Sequence, residues 1–160
     1  MKIRIIGPVG SGKTTLAHYL GRTMNLPVTS LDDINWERQD SGDRHRTIAE
    51  RHVLLDRLLQ QDDWVVEGVQ FRDGQSLFEA ADKIYVIDIP YWQNVYYIVK
   101  RYIKSLISDG PKQYKQLCIF LEWQKKWRKH DCDEINKLLK FYHTKVTVIK
   151  NLRCLTKNKN

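Results

Sequence analysis

Apolar residues in this chain fall into two rhythms that alternate from one end to the other. Short strand-like segments stand at Lys2-Ile3-Arg4-Ile5-Ile6, Val28-Thr29-Ser30-Leu31, Trp64-Val65-Val66-Glu67, Ile84-Tyr85-Val86-Ile87-Asp88 and Lys145-Val146-Thr147-Val148-Ile149, the third of them almost continuously apolar. Runs of this kind belong to strands covered on both faces. Between them, apolar residues return every three or four positions, the spacing of one helix face. Ile48, His52, Leu55 and Leu59 form one such stripe, and Val95, Val99, Tyr102 and Leu106 form another.

Local signals bound these elements. Leu26-Pro27 stops a first helix near Asn25, since proline has no N–H to continue it. Thr47-Ile48-Ala49-Glu50 and Ser76-Leu77-Phe78-Glu79 read as capping boxes that open two helices. Tyr91 to Ile107 is helical, and Ser108-Asp109-Gly110-Pro111 breaks it. A helix from about Lys112 to Lys129 follows, and Asp131-Cys132-Asp133-Glu134 caps another to about Tyr142. Residues 35–46 are polar and aperiodic and read as a mobile loop, and Lys157-Asn158-Lys159-Asn160 as a frayed end. Strands alternating with helices predict an α/β fold, a parallel sheet between two helical layers, in one domain over residues 1–160.

Ligands of such sheets bind beyond the carboxyl ends of the strands. The first strand runs into Gly7-Pro8-Val9-Gly10-Ser11-Gly12-Lys13-Thr14, which fills every fixed position of the phosphate-binding P-loop, and Thr15 follows. A turn of this kind exposes successive N–H groups to the phosphates, and the helix behind it adds its positive end. Gly7, Val9, Gly10, Ser11, Gly12, Lys13, Thr14 and Thr15 are the expected nucleotide contacts. Lys13 reaches the β- and γ-phosphates in this reading, and Thr14 offers its hydroxyl to Mg²⁺. ATP is the default triphosphate. The guanine signature is incomplete, because Asn136-Lys137-Leu138-Leu139 lacks its aspartate and Asp88-Ile89-Pro90-Tyr91 lacks the switch glycine.

Composition changes the picture in one respect. Hydrophobic residues at 42% and charged residues at 29% are those of an ordinary globular domain, and no apolar run approaches the roughly 18 residues of a membrane span. The chain opens on a strand rather than a leader, and the scattered Cys118, Cys132 and Cys154 form no metal or disulfide pattern, so a cytoplasmic protein is expected. Charge, however, is unequally shared. Residues 1–99 carry 11 Lys and Arg against 14 Asp and Glu, whereas residues 100–160 carry 16 against 5. That basic part either surrounds a triphosphate and a second anionic group or holds nucleic acid.

The remaining strand ends supply candidates for chemistry. Asp32, with Asp33 second, follows the second strand, where a kinase needs a carboxylate for the acceptor hydroxyl. Glu67 and Asp88 each end an apolar strand, as a magnesium-orienting acid does, and Glu67 is favoured. Arg44, Arg46 and Arg72 are loop guanidiniums suited to a phosphorylated acceptor, and Trp36 is suited to stack on a ring. Arg101, on the polar side of the 91–107 helix beside Lys100 and Lys104, is placed to neutralise a transferring phosphoryl group. Residues 100–130 read as a lid-like helical hairpin, with Lys125, Lys126 and Arg128 on its second limb.

With the P-loop, Leu31-Asp32-Asp33-Ile34-Asn35-Trp36, Gly42-Asp43-Arg44-His45-Arg46 and Asp63-Trp64-Val65-Val66-Glu67-Gly68-Val69, the chain resembles the DNA topology modulation proteins, which are similar to adenylate kinase. The resemblance extends from Met1 to about Asn151. It implies a three-layer, nucleoside/nucleotide-kinase-like P-loop fold with five parallel strands in the order 2-3-1-4-5. Carried onto matching positions, it marks the P-loop, Asp32-Asp33, Arg44, Arg46 and Arg101. The expected function is Mg²⁺-dependent phosphoryl transfer from ATP to a nucleotide, nucleoside or other small hydroxyl or phosphate acceptor. The alternative is a nucleotide-dependent DNA-associated protein that uses its basic later half.

Overall fold

The computed structural model describes residues 1–39, 42–72, 74–107 and 117–151. In chain order these form β1 (Lys2–Ile6), α1 (Lys13–Met24), β2 (Val28–Ser30), α2 (Leu31–Asn35), β3 (Trp36–Glu37), β4 (Arg44–His45), α3 (Ile48–Leu59) and β5 (Trp64–Glu67). There follow α4 (Gln75–Ala80), β6 (Lys83–Ile87), α5 (Tyr91–Ile107), α6 (Leu117–Lys126), a π-helical turn (Trp127–Asp131), α7 (Cys132–Lys140) and β7 (Val146–Ile149).

Five strands make one parallel sheet in the order β2-β5-β1-β6-β7. With the separate β3–β4 ribbon left out of the count, this is the expected order 2-3-1-4-5. The inner strands β1, β5 and β6 are largely buried, whereas the edge strand β2 is half-buried and the edge strand β7 leaves Thr147 and Val148 exposed. One core joins Ile3, Ile5, Val65, Ile87, Ile89 and Ile149 to Leu16 and Ala17 of α1, with Tyr97 of α5 packed against it. The other joins Ile6, Trp64, Val66, Ile84 and Val86 to Leu55 and Leu58 of α3, Leu77 and Phe78 of α4, Trp127, and Ile135 and Leu139 of α7. Full burial of a side chain the size of Phe78 stabilises the fold by about 3 kcal/mol.

α1 ends as its sequence indicates, with Asn25 in the left-handed conformation and its N–H on Gly21 O. The Thr47 capping box is present, Glu50 N–H donating to Thr47 Oγ1 and Thr47 N–H to a Glu50 carboxylate oxygen. Four local expectations need correction. Residues 35–46 are not simply a loop: Trp36 pairs with His45 and Glu37 with Arg44 in the antiparallel ribbon, held by Arg44–Glu37 hydrogen bonding and the edge-to-face Trp36–His45 contact. β2 ends at Ser30, one residue short of the expected Val28–Leu31 run, and Leu31 opens α2 with Asp32 and Asp33 in its first turn. α4 begins at Gln75 behind Gly74, which places Ser76 inside the helix instead of at its cap. Asp131 does not cap a new helix either, since the backbone stays helical through the π turn, where Cys132 N–H bonds Trp127 O.

The Ser108–Pro111 break, residues 112–116 of the following helix, Cys154 and the frayed end lie outside the described residues. Among the described residues no helix is long and apolar enough to cross a membrane.

Candidate functional site

The P-loop lies at the carboxyl end of the central strand β1. Gly10 and Gly12 take φ of +71° and +91°, values that side chains rarely adopt, and Ser11 N–H closes the turn on Pro8 O at 3.2 Å. The start of α1 has neither a side-chain cap nor an acidic residue in its first turn. Its leading N–H groups therefore keep their positive end for an external anion. Ser11 Oγ is buried with no protein partner, a second polar group that a bound oxyanion would satisfy. Lys13 is also buried, with its Nζ folded back on Pro8 O at 2.8 Å. Burial lowers its pKa to about 8, against the opposing pull of Glu67 and then Asp32, with Arg4 and Arg101 adding to the lowering. These residues fit the triphosphate of a nucleotide.

β5 lies beside β1 with Glu67 level with Ile5, so its last residue reaches the P-loop helix. Glu67 is buried, and Thr14 Oγ1 donates to Glu67 Oε1 at 3.1 Å. Among the described residues no three His, Cys, Asp or Glu form a metal-binding group. The hydroxyl–carboxylate pair instead suits Mg²⁺, which takes few protein ligands and completes its shell with phosphate oxygens and water. Asp88, the other strand-end acid, is exposed, with its N–H on Ile149 O at 3.0 Å.

Asp32 follows β2, which pairs with β5 on the edge away from β1, and is exposed in the first turn of α2, which Ser30 caps. Gln70 Nε2 donates to Asp32 Oδ1 at 2.9 Å. Arg101 is exposed on α5, yet close enough to Glu67 and Asp32 for both carboxylates to act on it. Partial burial lowers its pKa, and these two acids oppose the shift. Lys13, Thr14, Glu67, Asp32 and Arg101 thus converge on one region at the carboxyl edge of the sheet.

The loop arginines have partners of their own. Arg44 donates to Glu37 at 2.8 Å and with both terminal nitrogens to Glu50, which raises its pKa and lowers that of Glu50 to about 2. Arg46 Nη1 gathers Asp33 O, Ile34 O and Trp36 O at 2.6, 3.4 and 2.8 Å, closing the carboxyl end of α2. Arg72 pairs with Glu134 of α7 at 2.8 Å, the first cause of its raised pKa. Asp33 lies 3.9 Å from Arg38, which also pairs with Asp43. Trp36 is 40% exposed, enough free ring surface to face a bound molecule.

Sequence reasoning passed over Arg4. It is fully buried in the middle of β1 and its guanidinium lies 5.2 Å over the Phe78 ring. Its Nη1 donates to Ile5 O and Val66 O at 2.7 and 3.3 Å, and its Nη2 to Gly68 O and Gln70 O at 3.1 and 2.6 Å. One cation thereby shapes the segment that presents both Glu67 and Gln70. A charge set between Ile3 and Ile5 in the middle of the strand was the signal of this in the sequence.

No protein-family model matches this chain, and no curated protein does. Solved structures do match. A shikimate kinase from Acinetobacter baumannii, in complex with shikimate, superposes with a TM-score of 0.56 at 16% identity, covering 94% of this chain and 83% of that one. A gluconokinase from Sinorhizobium meliloti superposes with a TM-score of 0.52 at 13% identity, covering 93% and 81%. Likeness at such identities concerns architecture alone: the chain shares the three-layer α/β fold of these two proteins, with a parallel five-stranded sheet at its centre.

Proposed function

We propose that this chain is an ATP-dependent small-molecule phosphotransferase. The observation that carries the reading is the pairing of Thr14 with Glu67 at the P-loop, directly across the strand edge from Asp32 held by Gln70. It supplies a donor site and an acceptor site side by side.

In this reading the P-loop N–H groups and Lys13 hold the β- and γ-phosphates. Thr14 and Glu67 hold Mg²⁺, directly or through water, and the ion supplies neutralisation of phosphate charge. Asp32 accepts the proton of an acceptor hydroxyl while that oxygen bonds to the γ-phosphorus and the bond from phosphorus to the β–γ bridging oxygen breaks, leaving ADP. Arg101 stabilises the charge on the phosphoryl group in transit. The α5–α6 hairpin serves as the lid.

The acceptor is read as a small hydroxyl compound of the broad kind named in the two matched kinases, rather than a nucleoside monophosphate. Arg44 is doubly paired with Glu37 and Glu50, and Arg46 is committed to three carbonyls, so neither guanidinium is set out as a fork for an acceptor phosphate. The resemblance to the DNA topology modulation proteins rests on the same P-loop and Asp32-Asp33 segments and agrees with the phosphotransferase reading.

The test is ATP consumption by the purified chain, with Mg²⁺, across a panel of sugars, polyols, hydroxy acids, nucleosides and nucleotides. Acceptor-dependent ADP release is expected with at least one hydroxyl compound. MgATP binding without release of ADP across the whole panel would leave a nucleotide-binding protein and remove the kinase.

A further inference from the structure

Asn94 of α5 and Gln124 of α6 lie outside every recognised motif, and both are fully buried. Asn94 Nδ2 donates to Val9 O of the P-loop at 2.7 Å, and Gln124 Nε2 donates to Asn94 Oδ1 at 2.7 Å. The direction of this relay is set at the P-loop end. A peptide carbonyl only accepts, so Asn94 must turn its NH₂ toward Val9. Its oxygen then faces Gln124, which must answer with its own NH₂.

The peptide plane carries the effect one bond further. In a trans peptide C=O and N–H point in opposite directions, so fixing Val9 O on α5 aims the Gly10 N–H away from α5, into the concave side of the loop. Ile98, one helical turn beyond Asn94, backs the same peptide so closely that a Cβ on Gly10 would come within 2.5 Å of Ile98 Cγ1. α5 therefore offers this peptide both a donor and an apolar stop.

We propose that Asn94 and Gln124 are positioning residues for the triphosphate. Asn94 holds the Gly10 N–H in its phosphate-binding direction, and Gln124 passes the placement of α6 to the P-loop through Asn94. The proposal rests on the reading of the P-loop as a nucleotide site. Packing alone does not call for an amide at position 124. Gln124 Oε1 is buried without a partner, an unfavourable state that a methionine of similar length would not have. α6 is the second limb of the lid-like hairpin, so its displacement would reach the phosphates through two hydrogen bonds.

The experiment is calorimetric titration of the full chain with MgADP for four proteins: the parent, Asn94→Leu, Gln124→Met and the double variant. Each single substitution is expected to weaken binding about tenfold, the equivalent of one well-placed hydrogen bond. The double variant should bind no more weakly than Asn94→Leu alone, because Gln124 acts through Asn94. Gln124→Met exchanges one unpaired buried oxygen, Gln124 Oε1, for another, Asn94 Oδ1, so thermal unfolding should stay close to that of the parent, which separates positioning from support of the fold. Should Asn94→Leu fail to fold, Gln124→Met decides by itself: unchanged affinity overturns the proposal. Additive losses in the double variant overturn it too. A parent that does not bind MgADP removes the nucleotide site and this relay with it, whereas a binding parent with unaffected variants removes the relay alone.

Discussion

Thr14 and Glu67 meet at 3.1 Å although they stand 53 positions apart in the chain, because β5 lies parallel to β1 in a register that sets Glu67 beside Ile5. The contact joins the first turn of the P-loop helix to the end of the neighbouring strand, where a metal on the phosphates would be held from the protein side. Glu67→Gln preserves size and hydrogen bonding and removes the charge. It is expected to weaken the apparent affinity for Mg²⁺ at fixed ATP by about 10–100-fold, the usual effect of losing a supporting metal contact. Titrating Mg²⁺ against ATP turnover measures this, and an unaltered half-saturation point would exclude Glu67 from the metal site.

Lys13 gives a pH dependence whose sign follows from burial. Its pKa falls from 10.5 to about 8 in the folded chain, so folding disfavours the protonated form. Below about pH 8 both folded and unfolded chains hold the proton, and the folded state carries the whole cost of burying the charge. Between about 8 and 10.5 the unfolded chain binds more protons, so stability from this group rises with pH. Lys13→Met should therefore stabilise the ligand-free protein at pH 7, with a gain that shrinks across that window. Thermal unfolding of both proteins from pH 7 to 10 checks it, and a gain that grows with pH would contradict the burial account.

The same lysine makes nucleotide binding proton-linked. A triphosphate brings negative charge to Lys13 and favours its protonated form. Binding at pH 8.5 should take up protons, and affinity should decline as pH rises through about 8. Calorimetric enthalpies in buffers of different ionisation heat report the uptake, and identical enthalpies in all of them would show that Lys13 does not meet the phosphates.

The legible parts of this molecule were those written in contiguous residues. The P-loop occupies Gly7 to Thr14 without a gap, and the inner strands β1, β5 and β6 show as apolar runs because both faces of the sheet are covered there. The strand-end rule then pointed to Asp32 and Glu67. Gln70, Asn94 and Gln124 were invisible because an amide has no pattern of its own; its role comes from the atom it meets across the fold. The ribbon from Trp36 to His45 was missed for a different reason, since two-residue strands are too short to show alternation. The turn at Trp127–Asp131 likewise leaves no periodic mark when one helix passes into the next.

Arg4 shows how a charge in the core serves the site. Burial lowers its pKa to about 9, with Glu67 opposing, and four carbonyls receive its guanidinium. Arg4→Met would keep the bulk and strand Gly68 O and Gln70 O without their donor, at a cost of about 3 kcal/mol. Arg4→Lys is not expected to restore stability, because a single ammonium cannot span acceptors arranged for a planar fork. Urea unfolding of the three proteins measures the loss. A lysine variant as stable as the parent would mean that charge alone, rather than the fork, holds the segment.

Asp32 and Gln70 separate transfer from binding. Asp32→Asn keeps the shape and a hydrogen-bonding group beside Gln70 but lacks a carboxylate for the acceptor proton. Turnover with whichever acceptor the panel yields should drop about 10²–10⁴-fold, the range of a lost general base, while MgATP stays bound. Gln70→Leu leaves the carboxylate in place and removes the amide that orients it, so a smaller loss is expected, with nucleotide affinity again unchanged. The two variants differ in what excess acceptor can do: it does not recover Asp32→Asn, whose defect lies in the proton transfer, and it partly recovers Gln70→Leu, whose defect lies in alignment. Steady-state rates at rising acceptor concentration distinguish these. Normal turnover by Asp32→Asn would place the acceptor elsewhere along the strand edge and leave the P-loop site standing.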